Sequence, residues 1–191
     1  MVGVRNTRSD VVAAAGRLFA EQGYHGTSMR ELGRELGLLG SSLYSHVDSK
    51  QDLLVEVVAE GARLFEAAAQ TALSAGGRPS EQLRRLIAGH VAVVLDNLDV
   101  ARTFLNEARM LDSRHRAQVL EARDRYEAVF RSVVAAGVED GDFREDVDPK
   151  VATIFALSIL NAIERWFRAD GALNRDDLVD ELAHFVLSGI S

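Results

Sequence analysis

No cysteine occurs in the 191 residues, so disulfides, thiolate nucleophiles and cysteine-ligated metals are excluded together. The five histidines, at positions 25, 46, 90, 115 and 184, are too scattered for metal-ligand spacing. There is no H-E-x-x-H, phosphate-binding glycine loop or G-x-S-x-G. Ser41, Ser42 and His46 share one short segment, but only Asp48 stands near enough in sequence to orient a base. The expectation is a protein that is not an enzyme and carries neither metal nor cofactor. Nowhere do about 18 apolar residues run together, and MVGVRNTRSD at the N-terminus lacks the apolar core of a signal peptide. No membrane partner is implied, and the cytoplasm is the expected location. Proline is nearly missing as well: Pro79 and Pro149 are the only two, and both stand where a helix can start.

What the chain does hold is apolar residues at i, i+3, i+4 spacing almost throughout, with alternating strand patterns nearly absent. The reading is all-α, with about nine helices. A first helix runs from Thr7 or Ser9 to Gln22, burying Val11, Val12, Ala15, Leu18 and Phe19 and stopping at Gly23. Ser28 and Glu31 have capping-box spacing and open a short helix that ends near Leu36. After a break at Gly37–Gly40 comes a second short helix, Ser41 to Val47, and Asp48 or Ser49 caps a long helix from Lys50 into the seventies. Two short helices joined by a glycine-containing turn after a longer one make a helix-turn-helix pattern, in which the second short helix enters the major groove of DNA.

Further on, Gly76–Pro79 is a loop and Ser80 caps a helix to about Leu95. Helical stretches follow at Val100–Leu111 and Ser113–Ala136. Asp148-Pro149 opens a helix to about Arg168, and Asn174 caps the last one, with Asp176 and Asp177 at its positive end. The division expected is a helix-turn-helix DNA-binding domain at 1–49 and a larger helical domain at 50–191, to which the resemblance described below assigns ligand binding and dimerisation.

The net charge of −7 sits poorly with a nucleic-acid partner until it is divided along the chain. In residues 1–52, Arg5, Arg8, Arg17, Arg30, Arg34 and Lys50 balance Asp10, Glu21, Glu31, Glu35, Asp48 and Asp52. The excess acid therefore lies beyond the headpiece, which is free to present a locally basic face.

The run FAEQGYHGTSMRELGRELGLLGSSLYSHVDSKQDLL, from Phe19 to Leu54, resembles the DNA-binding domain of TetR-family regulators. The matching elements are Leu18-Phe19, Gly23-Tyr24, Thr27-Ser28, Gly37, Leu43-Tyr44, His46 and Ser49-Lys50. Gly141-Asp142-Phe143-Arg144 with Asp148-Pro149 is similar to a turn the family places before its penultimate helix. Val47 and Gly33 depart from it, standing where an aromatic and an alanine are usual. The resemblance implies a ligand-responsive transcriptional regulator, a repressor, that binds a double-stranded, near-palindromic operator as a homodimer. On it, Tyr44, His46 and Lys50 are candidate phosphate contacts. Thr27 and Ser28 suit a phosphate at the start of their helix. Gly40, Ser41 and Ser42 sit where short side chains let the recognition helix approach base edges. With few long donors there, phosphate contacts and DNA shape carry most of the affinity. Arg5 and Arg8 are further candidates for backbone or minor-groove contacts. The last two long helices would supply the dimer face through Leu157, Leu160, Leu178, Leu182, Phe185 and Val186, although core packing explains the same stripe equally well.

Effector candidates are Phe104, Tyr126, Phe130 and Phe155, together with the polar Asn106, Arg109, Asn161 and Arg165 that interrupt apolar helical segments. A buried arginine needs a carboxylate such as Glu107 or Glu164, or an anionic ligand. Asn161 to Arg168, including Trp166, is similar to the corresponding stretch of TetR regulators that respond to acyl-CoA thioesters. The resemblance implies an apolar or acyl-CoA effector whose binding releases DNA. A helical enzyme and a protein-interaction module without a DNA-binding role are the competing readings.

Overall fold

The structure is a computed structural model and describes residues 7–38, 43–45 and 47–191. It is all-helical, with no strand among the described residues. Eight α-helices are described, against about nine expected: α1 (Arg8–Gly26), α2 (Met29–Glu35), α3 (Lys50–Ser74), α4 (Pro79–Asp96), α5 (Leu98–Arg102), α6 (Ser113–Glu139), α7 (Pro149–Trp166) and α8 (Arg175–Ile190). Of the short helix expected at Ser41–Val47, positions 41, 42 and 46 lie outside the described residues. The expected stretch Val100–Leu111 is not one helix. α5 passes into a π turn, Thr103–Glu107, and then a 3-10 turn, Ala108–Met110.

Most helix starts follow local chemistry. Thr7 and Asp10 form a capping box at α1, with the Asp10 carboxylate taking both the N–H and the hydroxyl of Thr7. Ser28 and Glu31 repeat it at α2. Ser49 accepts from the Asp52 N–H at 3.1 Å at α3. Asp148 accepts from the N–H groups of Lys150 and Val151, with Pro149 at the first helical position of α7. Asn174 accepts from the Asp177 N–H at α8. The α4 start differs from expectation: the helix begins at Pro79, so Ser80 lies inside it rather than capping it. Glu81 accepts from the Arg78 N–H at 3.2 Å, and the distant Asp142 carboxylate accepts from the Ser80 N–H at 2.8 Å.

The chain divides into two compact bodies, one of residues up to 63 with 97–120, the other of 64–96 with 121–191. The first buries Val11, Ala15, Leu18 and Phe19 of α1 with Leu32, Leu43, Val47, Leu53, Leu54, Val57 and Phe104. Gly61 of α3 is required here, because a Cβ on it would come within 2.6 Å of the Phe104 Cβ. The second buries Phe65, Leu83, Leu86, Ile87, Phe130, Leu160, Ile163, Leu178 and Leu182. Each such side chain contributes about 1.5–3 kcal/mol on leaving water. In the second body Gly137 leaves room for the ring of Phe143, as Gly61 does for Phe104.

Candidate functional site

The first run of α1 breaks at Gly23, as expected, where φ is 76°, and a further short turn carries the helix on to Gly26. The broken end leaves carbonyls without helical partners, and two side chains supply donors. Thr27 donates from Oγ1 to the Leu18 carbonyl at 3.1 Å and the Gly23 carbonyl at 3.0 Å. Lys50 donates from Nζ to the carbonyls of Tyr24 and Thr27, both at 2.8 Å. The same ammonium stands 4.2 Å from the centroid of the Tyr24 ring, a cation–π contact. The Tyr24 hydroxyl donates to Gln51 Oε1 at 2.9 Å, and burial raises its pKa.

The corner therefore treats the expected DNA residues unequally. Thr27 is buried, with its hydroxyl, its N–H and its carbonyl all engaged inside the protein, so it supports the corner rather than facing outward. Ser28 is exposed, but its N–H and hydroxyl both reach Glu31 Oε2 at 2.8 Å. Those two bonds hold the Glu31 carboxyl below its ordinary value, the hydroxyl bond being the larger cause. Tyr44 is 55% exposed, while its neighbours Leu43 and Val47 are buried and anchor the segment. Val47, in place of the usual aromatic, still fills its core position. Arg8 pairs with Glu56, which raises its pKa. Arg5, Gly40, Ser41, Ser42 and His46 lie outside the described residues.

The effector candidates are divided between the bodies. In the first, Phe104 is buried and Asn106 donates to the Arg102 carbonyl at 3.1 Å. Arg109 is exposed. In the second, Tyr126 and Phe130 belong to an aromatic cluster with Phe65 and His90. The Tyr126 ring lies 5.4 Å from Phe65 and 5.3 Å from Phe130, and Phe65 lies 4.8 Å from the His90 ring. His90 Nδ1 is 3.1 Å from the Tyr126 hydroxyl. Asn161 is half-buried, whereas Phe155, Arg165 and Trp166 point outward, Phe155 at 64% exposure. Thr153, Ala156, Leu160 and Ile163 form the inner face of α7, and Phe155 falls on the opposite side.

The expected buried arginine is thus reversed. Glu164 is the buried partner, 6% exposed, and Arg165 reaches back from solvent to bond it at 3.2 Å. Glu107, the other carboxylate considered, bonds the Tyr24 N–H instead of Arg109. The apolar stripe of the last two helices also resolves: Leu160, Leu178, Leu182 and Val186 are core, while Val151, Ile154, Phe155 and Phe185 are exposed. Sequence reading passed over His90, although it sits in register with Leu83, Leu86, Ile87, Val91 and Val94 on the buried face of α4. Burial lowers its pKa to about 3. The Leu160 backbone opposes that shift without overcoming it, and Nε2 has no hydrogen-bond partner. Among the described residues no three metal-ligating side chains lie together, and no helix is long and apolar enough to cross a membrane.

In the first body a capped short helix packs against the broken α1, and the second body has an aromatic interior. Residues 11–57 match the model of the bacterial regulatory proteins of the tetR family, and residues 76–190 match that of the tetracyclin repressor-like C-terminal domain. The chain belongs to the TetR family, whose members regulate transcription rather than catalyse reactions. It is 25% identical over 190 residues to the HTH-type transcriptional repressor KstR2 of Rhodococcus jostii, covering 99% of this chain and 93% of that one. The TetR family transcriptional regulator PfmR from Thermus thermophilus is 33% identical, with a TM-score of 0.85 over 93% of this chain and 97% of that one. AibR, solved in complex with isovaleryl coenzyme A and operator DNA, is 25% identical, with a TM-score of 0.86 over 93% of this chain and 96% of that one.

Proposed function

We propose that this regulator is a cytoplasmic repressor that binds a near-palindromic operator as a homodimer and leaves it when an acyl-CoA-type effector binds. The functional division lies near residue 49, with DNA read by the 1–49 segment and the effector and partner subunit met by 50–191. Tyr44, Ser28 and Lys50, with Gly40, Ser41, Ser42 and His46, are the DNA contacts. Lys50 has one ammonium proton beyond its two carbonyl bonds to offer a phosphate. The observation that carries the dimer is the exposed apolar set on α7 and α8, with Phe155 at 64% and Phe185 at 65%. Large exposed aromatics on helices mark association surfaces, and a twofold dimer presents two equivalent headpieces to a palindrome. The effector reading rests on AibR and on the apolar cluster around Tyr126 and Phe130, whose His90 and Tyr126 polar atoms suit the carbonyl of a thioester.

The experiment selects bound sequences from a random duplex pool at physiological salt, then titrates the recovered site with a mixture of acyl-CoAs. A palindrome released by an acyl-CoA supports the whole reading. A palindrome indifferent to acyl-CoAs removes the effector and leaves the regulator, and no enriched site overturns the operator. Release requires that the effector bind the two states unequally, since equal affinity shifts nothing.

A further inference from the structure

Within the first body the π turn that follows α5 is fastened to α1 at both of its ends. Thr103, fully buried, donates from Oγ1 to the Gly16 carbonyl at 3.4 Å. One turn later Glu107 Oε2 accepts from the Tyr24 backbone N–H at 3.1 Å, across 83 residues of sequence. Its Oε1 lies over Gly23, the residue at which α1 breaks. Tyr24 is in turn the seat of Lys50, through its carbonyl at 2.8 Å and its ring at 4.2 Å. Lys50 also holds the Thr27 carbonyl, so Tyr24, Thr27 and Lys50 form one connected unit with Glu107 behind it.

We propose that Glu107 is a positioning residue for DNA binding: its carboxylate fixes the Tyr24–Thr27 segment and, through it, the Lys50 ammonium, without touching DNA itself. The inference rests on Lys50 being a DNA contact, as set out under Proposed function. A carboxylate accepting from an N–H makes a bond about twice as strong as a neutral one, and a half-buried N–H deprived of it loses its local reason to stay. The argument has a distinctive sign. Removing an acid from the neighbourhood of a DNA-binding surface strengthens binding through charge alone. Loss of the Glu107 anchor weakens it.

The full-length protein and its Glu107→Ala, Glu107→Asp and Glu107→Gln variants are titrated into a short mixed-sequence duplex at low salt, and into the duplex the wild type selects. Glu107→Ala removes the acceptor, and Glu107→Asp keeps the charge but shortens the reach. Both are expected to bind about tenfold more weakly. Glu107→Gln keeps an acceptor oxygen at the same reach and binds as tightly as wild type or tighter. The slope of log K against log salt stays at the wild-type value in Glu107→Ala, because no cation is removed. Glu107→Ala binding as well as wild type overturns the proposal, and so does failure of Glu107→Gln alongside Glu107→Ala. Weakening that follows a matching loss of helical melting temperature in every variant also overturns it, by reducing Glu107 to a fold-stabilising role. Should selection recover no site while the mixed duplex shows this pattern, the positioning role stands and the operator reading alone fails.

Discussion

His90 is neutral in the folded protein and stays so to about pH 3, because desolvation on α4 outweighs the nearby Leu160 carbonyl. In the unfolded chain the same imidazole titrates near 6.5. Between those values the unfolded state binds the extra proton, so stability falls as pH is lowered through the window. At pH 5 the cost depends only on how far the pH lies below the unfolded value, about 1.5 units, provided the folded pKa stays well under 5. That corresponds to about 2 kcal/mol, a fraction of the roughly 5–15 kcal/mol typical of a domain. The assay is urea unfolding by circular dichroism at pH 7, 6 and 5, at one protein concentration, for wild type and His90→Asn. The variant is less stable at pH 7, having lost ring packing against Phe65 and Tyr126. Its further loss between pH 7 and 5 is smaller than wild type's by about 2 kcal/mol. Equal pH slopes in the two proteins would refute the reasoning and mean that the ring is charged in the fold.

Three other substitutions probe separate parts of the structure. Lys50→Met is expected to weaken binding to every duplex alike and to reduce the salt slope by about one; an unchanged slope would assign Lys50 to the end of α1 alone. The double variant Phe155→Glu, Phe185→Glu is expected to sediment as a monomer with its melting temperature retained when compared with a monomeric state of the wild type, both rings being exposed in the protomer; an unaltered dimer would move the interface elsewhere. Asp148→Ala removes the acceptor for two N–H groups at the start of α7 and is expected to cost about 1 kcal/mol by thermal melting, little being lost only if Pro149 suffices to hold the start.

Elements governed by neighbours in sequence were legible. The capping pairs Ser28–Glu31 and Asp148-Pro149, and the cap at Asn174, announce their helices because donor and acceptor sit within one turn of each other. Elements governed by distant partners were not. At the α4 start the Ser80 N–H is held by Asp142, 62 residues away, and nothing around Ser80 points to it. Apolar periodicity is also silent on which side of an apolar helix faces solvent, which is why Phe155 and Leu160 read alike from sequence and separate in the structure. Thr27 shows a third limit. Its place in a DNA-contact motif was evident, but the use of its hydroxyl on α1 follows from the φ of Gly23, a backbone property that sequence only suggests.

The glycine and aromatic pairs, Gly61 with Phe104 and Gly137 with Phe143, also bear on how this chain can change over generations. Neither glycine accepts even a methyl group while its phenylalanine stays where it is. A larger residue at 61 or 137 becomes tolerable only after 104 or 143 has shrunk, and the reverse order leaves a void in between. Each pair therefore drifts as a unit, through an intermediate poorer than either end. Because the pairs lie in different bodies, the two histories are free to run independently, so descendants that have rewritten one pair while keeping the other are the expected outcome.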